Sequence, residues 1–139
     1  MALDVDLLRS SFALVVEREP ELTRRFYEVL FRRYPQARAL FGRNAARAQE
    51  QMLRDALVAV IDHLEDPTWL GETLGALGRR HVGYGVTIEM YDWVGASLIE
   101  TLADVAGDAW NDALTQAWTN AYVAIASAMQ AGANAATAA

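Results

Sequence analysis

The sequence predicts a single all-α domain. Apolar residues recur at helical spacing along the chain, and no stretch alternates with the period of a strand. Only three prolines interrupt a chain of 139 residues, of which 53% are hydrophobic, and its many alanines and leucines favour helix. We expect about seven helices of unequal length, joined by sharp corners and packed pairwise at steep angles around an enclosed space.

Prolines delimit the first three helices. A helix over residues 4–18 ends before Pro20, because the residue that precedes a proline avoids helical geometry. A second helix, over residues 21–34, stops at Pro35, which suits the first turn of a short helix that runs to about Phe41. The side chains expected to face inward from the two longer helices are Leu8, Phe12, Val15, Val16, Leu22, Phe26, Leu30 and Phe31.

A loop over residues 42–44 leads into a longer helix over residues 45–64. The apolar stripe of this helix runs from Leu53 to Leu64. Extrapolation of the same face back by one turn places Gln49 inward. A polar amide on the core side of a helix is unexpected, and this marks Gln49 as a candidate functional residue.

Three further helices complete the expected fold. They are a helix from the break at residues 65–68 to the glycines at positions 83 and 85, a helix over 88–106 that stops at Gly107, and a helix over 109–131. Glycines are common at helix ends because they adopt left-handed geometry at little cost. Residues 132–139 have nothing large to bury, so we expect a flexible tail after a domain over residues 1–131.

His81 ends an otherwise apolar stripe. Leu70, Leu74, Leu77 and His81 fall at i, i+4, i+7 and i+11, on one face of a helix. A buried histidine is either neutral and hydrogen-bonded or bound to a group that takes its lone pair. In a regular helix the Leu77 carbonyl could accept from one ring nitrogen, and the other would then face the core, as an axial ligand to iron does. An ordinary core histidine is the alternative.

The composition excludes several classes of function. Without cysteine the chain has no disulfides, thiolate ligands or cysteine nucleophiles. All twelve basic residues are arginines that precede His81, and the net charge is −6, which argues against nucleic-acid binding. The arginine pairs 24–25, 32–33 and 79–80 are interpreted as solvated faces. No apolar run approaches the ~18 residues of a membrane span, and no secretion signal opens the chain, so we expect a cytoplasmic protein without membrane contact.

Several of these residues belong to a set of short motifs whose order and spacing along the chain match those of a known protein family. The set comprises Phe26-Tyr27, Leu30-Phe31, Pro35, Leu40-Phe41, Gln49, Leu53, His81, Gly85-Val86, Tyr91, Val94-Gly95, Ala117-Trp118 and Ala121-Tyr122. Over residues 5–131 this set resembles the globins, specifically single-domain bacterial haemoglobins of the Hell's Gate type and the haem half of flavohaemoglobins. The resemblance implies the globin fold, with its helices packed around a haem pocket.

The resemblance also implies a cofactor, haem b, and its surroundings. The implied residues are His81 as proximal iron ligand, Leu77 and Tyr91 beside it, Phe41 stacked on the porphyrin, and Tyr27, Gln49 and Leu53 on the distal wall. A haem with one imidazole ligand keeps its opposite site open for O₂, CO or NO. Hydrogen bonds from the distal tyrosine and glutamine would stabilise a partly negative ligand by on the order of 1–2 kcal/mol each. Leu53 would limit the entry of water.

Each assignment has a structural alternative. Tyr27 could be a core aromatic residue with a satisfied hydroxyl group, and Gln49 could point outward from a frayed first turn. Phe41 and Leu53 are apolar and would be core residues in either case. His63 is interpreted as a surface histidine, because it lies near a helix end beside acidic residues.

Two departures from flavohaemoglobins bear on function. We expect no flavin or nicotinamide domain in a chain of this length, and the glutamate that flavohaemoglobins place near the proximal histidine corresponds to Ala133. A missing carboxylate lowers the basicity of the imidazole and disfavours peroxidase-like chemistry.

The leading hypothesis is therefore reversible binding of O₂, and also of CO and NO, for O₂ storage or delivery or for NO scavenging. The alternatives are an NO dioxygenase that works with a separate reductase, a haem-based gas sensor and a haem-free helical domain.

Overall fold

The structure is a computed structural model, and it describes residues 3–40, 46–83 and 85–138. Its six α-helices are Val5–Arg18 (α1), Leu22–Arg33 (α2), Ala46–Asp62 (α3), Pro67–Gly83 (α4), Ile88–Ala106 (α5) and Asp112–Ala138 (α6), and short 3₁₀ helices span Pro35–Leu40 and Gly107–Ala109. Within the described ranges there is no strand, and the all-α prediction is confirmed. None of the helices described is long and apolar enough to cross a membrane.

Local signals in the sequence explain several helix ends. The Asp4 carboxylate caps α1 by accepting a hydrogen bond from the Leu7 amide at 3.2 Å. Gly107 ends α5 with a φ of 54°, a left-handed geometry that costs glycine little. α4 already begins at Pro67, because proline suits the first turn of a helix. The break expected over residues 65–68 therefore lies two residues earlier, over residues 63–66, because α3 ends at Asp62.

The last helix differs most from the expected boundaries. α6 begins at Asp112, after a 3₁₀ turn, and continues to Ala138, whereas the pattern predicted a helix over residues 109–131. The continuation is alanine-rich and so has a high helix propensity. Gly132 is buried, so packing extends past the expected end of the domain. The flexibility of residues 132–139 stays a prediction.

The main hydrophobic core lies between α1, α2, α5 and α6. The largest of its fully buried apolar side chains are Leu8, Val15, Leu30 and Leu102. Trp118 of α6 is buried with them, and its Nε1 donates a 2.9 Å hydrogen bond to the Ser11 hydroxyl of α1. The Ser11 hydroxyl donates in turn to the Leu7 carbonyl at 2.7 Å. The polar groups that this packing buries are therefore hydrogen-bonded, as burial requires.

Arginines of α2 pair with acidic residues of α5 on the surface. Arg25 pairs with Asp104, and Arg32 and Arg33 both pair with Glu100. Exposed ion pairs of this kind contribute about 0–1 kcal/mol each. These arginines lie on the solvated surface, as the charge pattern predicts, and they also link the two helices.

α3 and α4 pack on different partners. α4 lies along α6, and a smaller cluster of Leu74, Tyr91, Ala126 and Met129 is buried between α4, α5 and α6. α3 packs on α2 instead. No residue of α3 from 47 to 62 is fully buried, although its inner stripe is apolar. The rest of the chain therefore covers the apolar face of α3 only in part.

Candidate functional site

His81 lies in the last turn of α4, and its ring has a defined hydrogen bond. Nδ1 is 2.8 Å from the carbonyl oxygen of Leu77, one turn earlier. Because a carbonyl can only accept, Nδ1 carries the proton and the lone pair of the neutral ring resides on Nε2. This is the hydrogen bond that the helical spacing predicts. It leaves the ring in the tautomer that binds a metal through Nε2.

Tyr27 and Gln49 meet although they are 22 positions apart in the sequence. Tyr27 projects from α2 and Gln49 from the start of α3, and Gln49 Nε2 donates to Tyr27 Oη at 3.4 Å. Both side chains are half-buried. Gln49 therefore faces inward, and the alternative of an outward side chain is excluded.

The environment of Tyr27 keeps its hydroxyl protonated. Burial raises the pKa of Tyr27 above its ordinary value of 10.0, and the nearby charge of Glu50 acts in the same direction, while the Gln49 hydrogen bond opposes them. The ring is held by Phe26, edge-on at 5.1 Å, and by Phe31, stacked at 5.8 Å. At neutral pH Tyr27 is a neutral side chain whose hydroxyl can donate a hydrogen bond.

The other predicted site residues fall on the same helices. Leu53 lies one turn after Gln49 and is half-buried against the main core. Leu77 packs in the smaller cluster, in which Tyr91 is buried. Val60 of α3 contacts both clusters. Phe41, predicted to stack on the cofactor, lies outside the described residues, as does the expected loop at 42–44.

Tyr122 was not among the predicted site residues. Its hydroxyl donates to the Tyr91 carbonyl at 2.6 Å, and its ring covers Gly95 so closely that a Cβ there would lie 2.7 Å from the ring. Burial raises the pKa of Tyr122 strongly and also raises that of Tyr91. The available signal was helical spacing, since Tyr122 lies one turn after Trp118. The need for glycine at position 95, by contrast, could not be predicted, because it depends on the Tyr122 ring that packs over it from another helix.

The second histidine has a different environment. His63 Nδ1 is 2.7 Å from the Ala59 carbonyl, and the ring stacks on Trp69 at 3.7 Å. The side chain is half-buried rather than fully solvated, because Trp69 covers one face. No group of three or more His, Cys, Asp or Glu side chains that could hold a metal ion occurs among the described residues.

Comparison with known proteins identifies similar chains. Residues 24–129 match the family model described as Globin. The flavohemoprotein of Bordetella pertussis is 33% identical over 118 residues, which cover 84% of this chain and 29% of that protein. This chain thus spans less than a third of the curated relative's length.

Two solved structures have the same architecture. An engineered carbene transferase, a candidate nitric oxide dioxygenase from Rhodothermus marinus, superposes with a TM-score of 0.83 at 25% identity, over 96% of this chain and 93% of that one. A bacterial globin from Campylobacter jejuni has a TM-score of 0.81 at 22% identity, over 97% of both chains. The helices described above thus have the arrangement of a globin fold, as the resemblance implied.

Proposed function

This chain belongs to the globin family, and we propose that it holds haem b through His81 and binds O₂, CO and NO reversibly. The observation that carries the proposal is the 2.8 Å hydrogen bond from His81 Nδ1 to the Leu77 carbonyl. That bond orients the ring and favours the tautomer that binds a metal through Nε2. The 33% identical flavohemoprotein supports the choice of cofactor.

The residues present fit a haem. A porphyrin is flat and largely apolar, and α3 offers an apolar face that the protein covers only in part, so burial of the ring there is favourable. One imidazole is enough to hold the iron, because the porphyrin supplies the equatorial ligands itself. Haem held by His81 would supply a coordination position for a diatomic gas. Phe41 is proposed to stack on the ring, and Leu77 and Tyr91 to pack beside His81.

Tyr27 and Gln49 are proposed to select and retain the gas ligand. In the contact with Gln49 Nε2, the hydroxyl oxygen of Tyr27 is the acceptor. A tyrosine with a raised pKa presents its hydroxyl proton as a donor throughout the neutral range. Such a donor favours O₂ over CO, since O₂ gains more negative charge on binding. Leu53, one turn along α3, is proposed to limit water.

Reversible binding is favoured over peroxidase-like chemistry. The position at which flavohaemoglobins are expected to supply a proximal carboxylate is occupied here by Ala133, which is half-buried in α6. An imidazole without such a partner is a weaker electron donor. The proposed roles are O₂ storage or delivery, or NO scavenging, in the cytoplasm.

A second candidate function is NO dioxygenation. It is supported by the likeness to the R. marinus protein, at a TM-score of 0.83 and 25% identity. Such an activity would require a separate reductase to return the haem to the ferrous state. With reductase and NADH supplied, sustained nitrate formation would favour the enzyme, and nitrate limited to one equivalent per haem would exclude it.

The proposal is tested by haemin titration of the purified chain. We expect one haemin per chain, a strong Soret band and a ferrous form that binds CO. His81→Ala should abolish stable haem retention. His63→Ala is the matched control, because His63 also bonds a carbonyl one turn earlier, at 2.7 Å, and it should retain haem. Haem content that is unchanged in His81→Ala would overturn the proposal.

A further inference from the structure

Three buried glycines lie where α4 runs along α6. Gly75 and Gly78 belong to α4, and Gly132 belongs to α6. A Cβ built on Gly78 would lie 1.8 Å from the carbonyl oxygen of Met129, and a Cβ on Gly132 would lie 2.1 Å from the carbonyl oxygen of Gly75. Real Cβ atoms essentially never approach another atom within 3.0 Å. A side chain at either position would therefore force the two helices apart.

The atoms that these Cβ positions meet belong to the backbone. The contacts of the Gly78 position are the Met129 O, C and Cα atoms, at 1.8, 2.5 and 2.8 Å, so no rotamer change can relieve them. The position of Gly95 differs, since there the neighbour is the side chain of Tyr122. Contact between two helix backbones fixes their separation more rigidly than contact between flexible side chains does.

This contact lies one turn from the histidine. Gly78 precedes His81 by three residues and follows Leu77, whose carbonyl holds the imidazole Nδ1 at 2.8 Å. Residues three apart in a helix lie on neighbouring parts of one surface. A displacement of α4 at Gly78 would therefore move both the ring and the carbonyl that orients it.

We propose that Gly78 and Gly132 are positioning residues, which place His81 by letting α4 and α6 meet backbone to backbone. The inference rests on the proposed role of His81 as the iron ligand. Because these two positions carry no side chain, α4 can lie where His81 is correctly placed. The two positions should therefore tolerate alanine far less well than neighbouring glycines do.

The chain supplies matched controls for this proposal. Gly71, on α4, has nothing within 4 Å of its Cβ position, and the Gly75 Cβ would meet its neighbours only at 3.9 Å. The test compares Gly78→Ala and Gly132→Ala with Gly71→Ala and Gly75→Ala. Gly75 is the stricter control, because it touches Gly132 across the same contact and receives the same substitution.

Two measurements report on the histidine directly. In the apoprotein, the ¹⁵N shifts of the imidazole report whether the Nδ1–H tautomer of His81 persists. In the haemin-loaded, dithionite-reduced protein, the iron–imidazole stretching band in the resonance Raman spectrum reports the orientation of the ring. We expect both signals to change in Gly78→Ala and Gly132→Ala, with haem loss to apomyoglobin faster by about tenfold, which corresponds to ~1.4 kcal/mol. We expect wild-type signals in the two controls.

The outcomes separate this inference from the proposed function. If the wild-type chain takes up no haemin, the proposed function fails, and the apoprotein shifts still test the placement of the ring. If haem binds through His81 but Gly132→Ala and Gly78→Ala retain wild-type shifts and Raman bands, the positioning role is refuted. Equal changes in Gly75→Ala would refute it as well. Should Gly78→Ala fail to fold, Gly132→Ala decides, because it places a methyl group in the same backbone contact from the α6 side.

Discussion

Replacing Tyr27 with phenylalanine should accelerate O₂ release from the reduced, haem-loaded protein by about tenfold. The change removes one hydroxyl donor from a half-buried site and leaves the ring in its contacts with Phe26 and Phe31. A hydrogen bond in such a site contributes about 1.4 kcal/mol, and that free energy is a factor of about ten in the dissociation rate. CO gains less negative charge than O₂, so its release should change by less than about threefold.

The neighbouring amide limits the size of this effect. Gln49 donates to the Tyr27 hydroxyl at 3.4 Å, and in Tyr27→Phe this donor loses its acceptor. The amide can then turn toward the ligand and recover part of the lost stabilisation, so about tenfold is an upper estimate. Since burial raises the pKa of Tyr27 above 10.0, the difference between the wild type and the variant should stay constant between pH 6 and pH 9.

Stopped-flow ligand replacement measures the O₂ and CO dissociation rates of both proteins. Tyr34→Phe is the matched control, because Tyr34 is half-buried and its ring stacks on Trp93 at 5.3 Å, away from Gln49. It should leave both rates unchanged. If Tyr27→Phe changes the O₂ and CO rates by the same factor, the loss is steric or structural, and Tyr27 does not act as a distal donor.

Three further substitutions test separate parts of the structure. Gln49→Leu should accelerate O₂ release by less than about fivefold, and a larger effect than that of the Tyr27 variant, measured by the same replacement kinetics, would reverse the assigned roles. Ser11→Ala leaves the buried Trp118 Nε1 without its acceptor and should lower the free energy of unfolding in urea by about 1–3 kcal/mol. Ser10→Ala, which removes an exposed hydroxyl, should lower it by under about 0.5 kcal/mol, and equal losses would contradict the reasoning. Desolvation raises the pKa of Glu100, but its arginine partners on α2 outweigh this and lower the pKa below its ordinary 4.5. The stabilisation is thus complete above that value and is lost as the pH falls through the lower folded value. Glu100→Gln should therefore cost up to about 1 kcal/mol at pH 7 and progressively less toward pH 3, and a cost that grows on acidification would be inconsistent with this sign.

Features that depend on one helix and its ends could be predicted from the sequence. α5 spans residues 88–106 as expected, because an apolar stripe, a preceding loop and Gly107 all mark it locally. The His81–Leu77 hydrogen bond follows from helical spacing alone. Gln49 could be placed inward by extrapolation over one turn, since side-chain direction in a helix is set by its period.

Features that depend on two helices could not be predicted in the same way. Gly78 reads as an ordinary glycine in a helical pattern, and Gly132 reads as the first residue of the expected tail. The reason that only glycine fits at these positions becomes clear only once α4 lies on α6. The continuation of α6 past residue 131 was missed for a related reason. Residues 132–139 have no large side chain to bury, and this alone predicts a tail. However, an alanine-rich sequence also extends a helix that packing already anchors.

The two sides of the proposed site are held with different stiffness. His81 belongs to a helix in backbone contact with α6, and Tyr27 projects from α2, whose inner face is buried in the main core. Gln49 projects from α3, in which no residue between 47 and 62 is fully buried. In the chain without haem, α3 therefore has a lower local stability than α2 and α4 and more freedom to adjust. The proposed iron ligand and the proposed tyrosine donor therefore lie on closely packed helices, whereas the proposed amide donor lies on the least covered one. This is why removing the tyrosine hydroxyl should cost more than removing the amide.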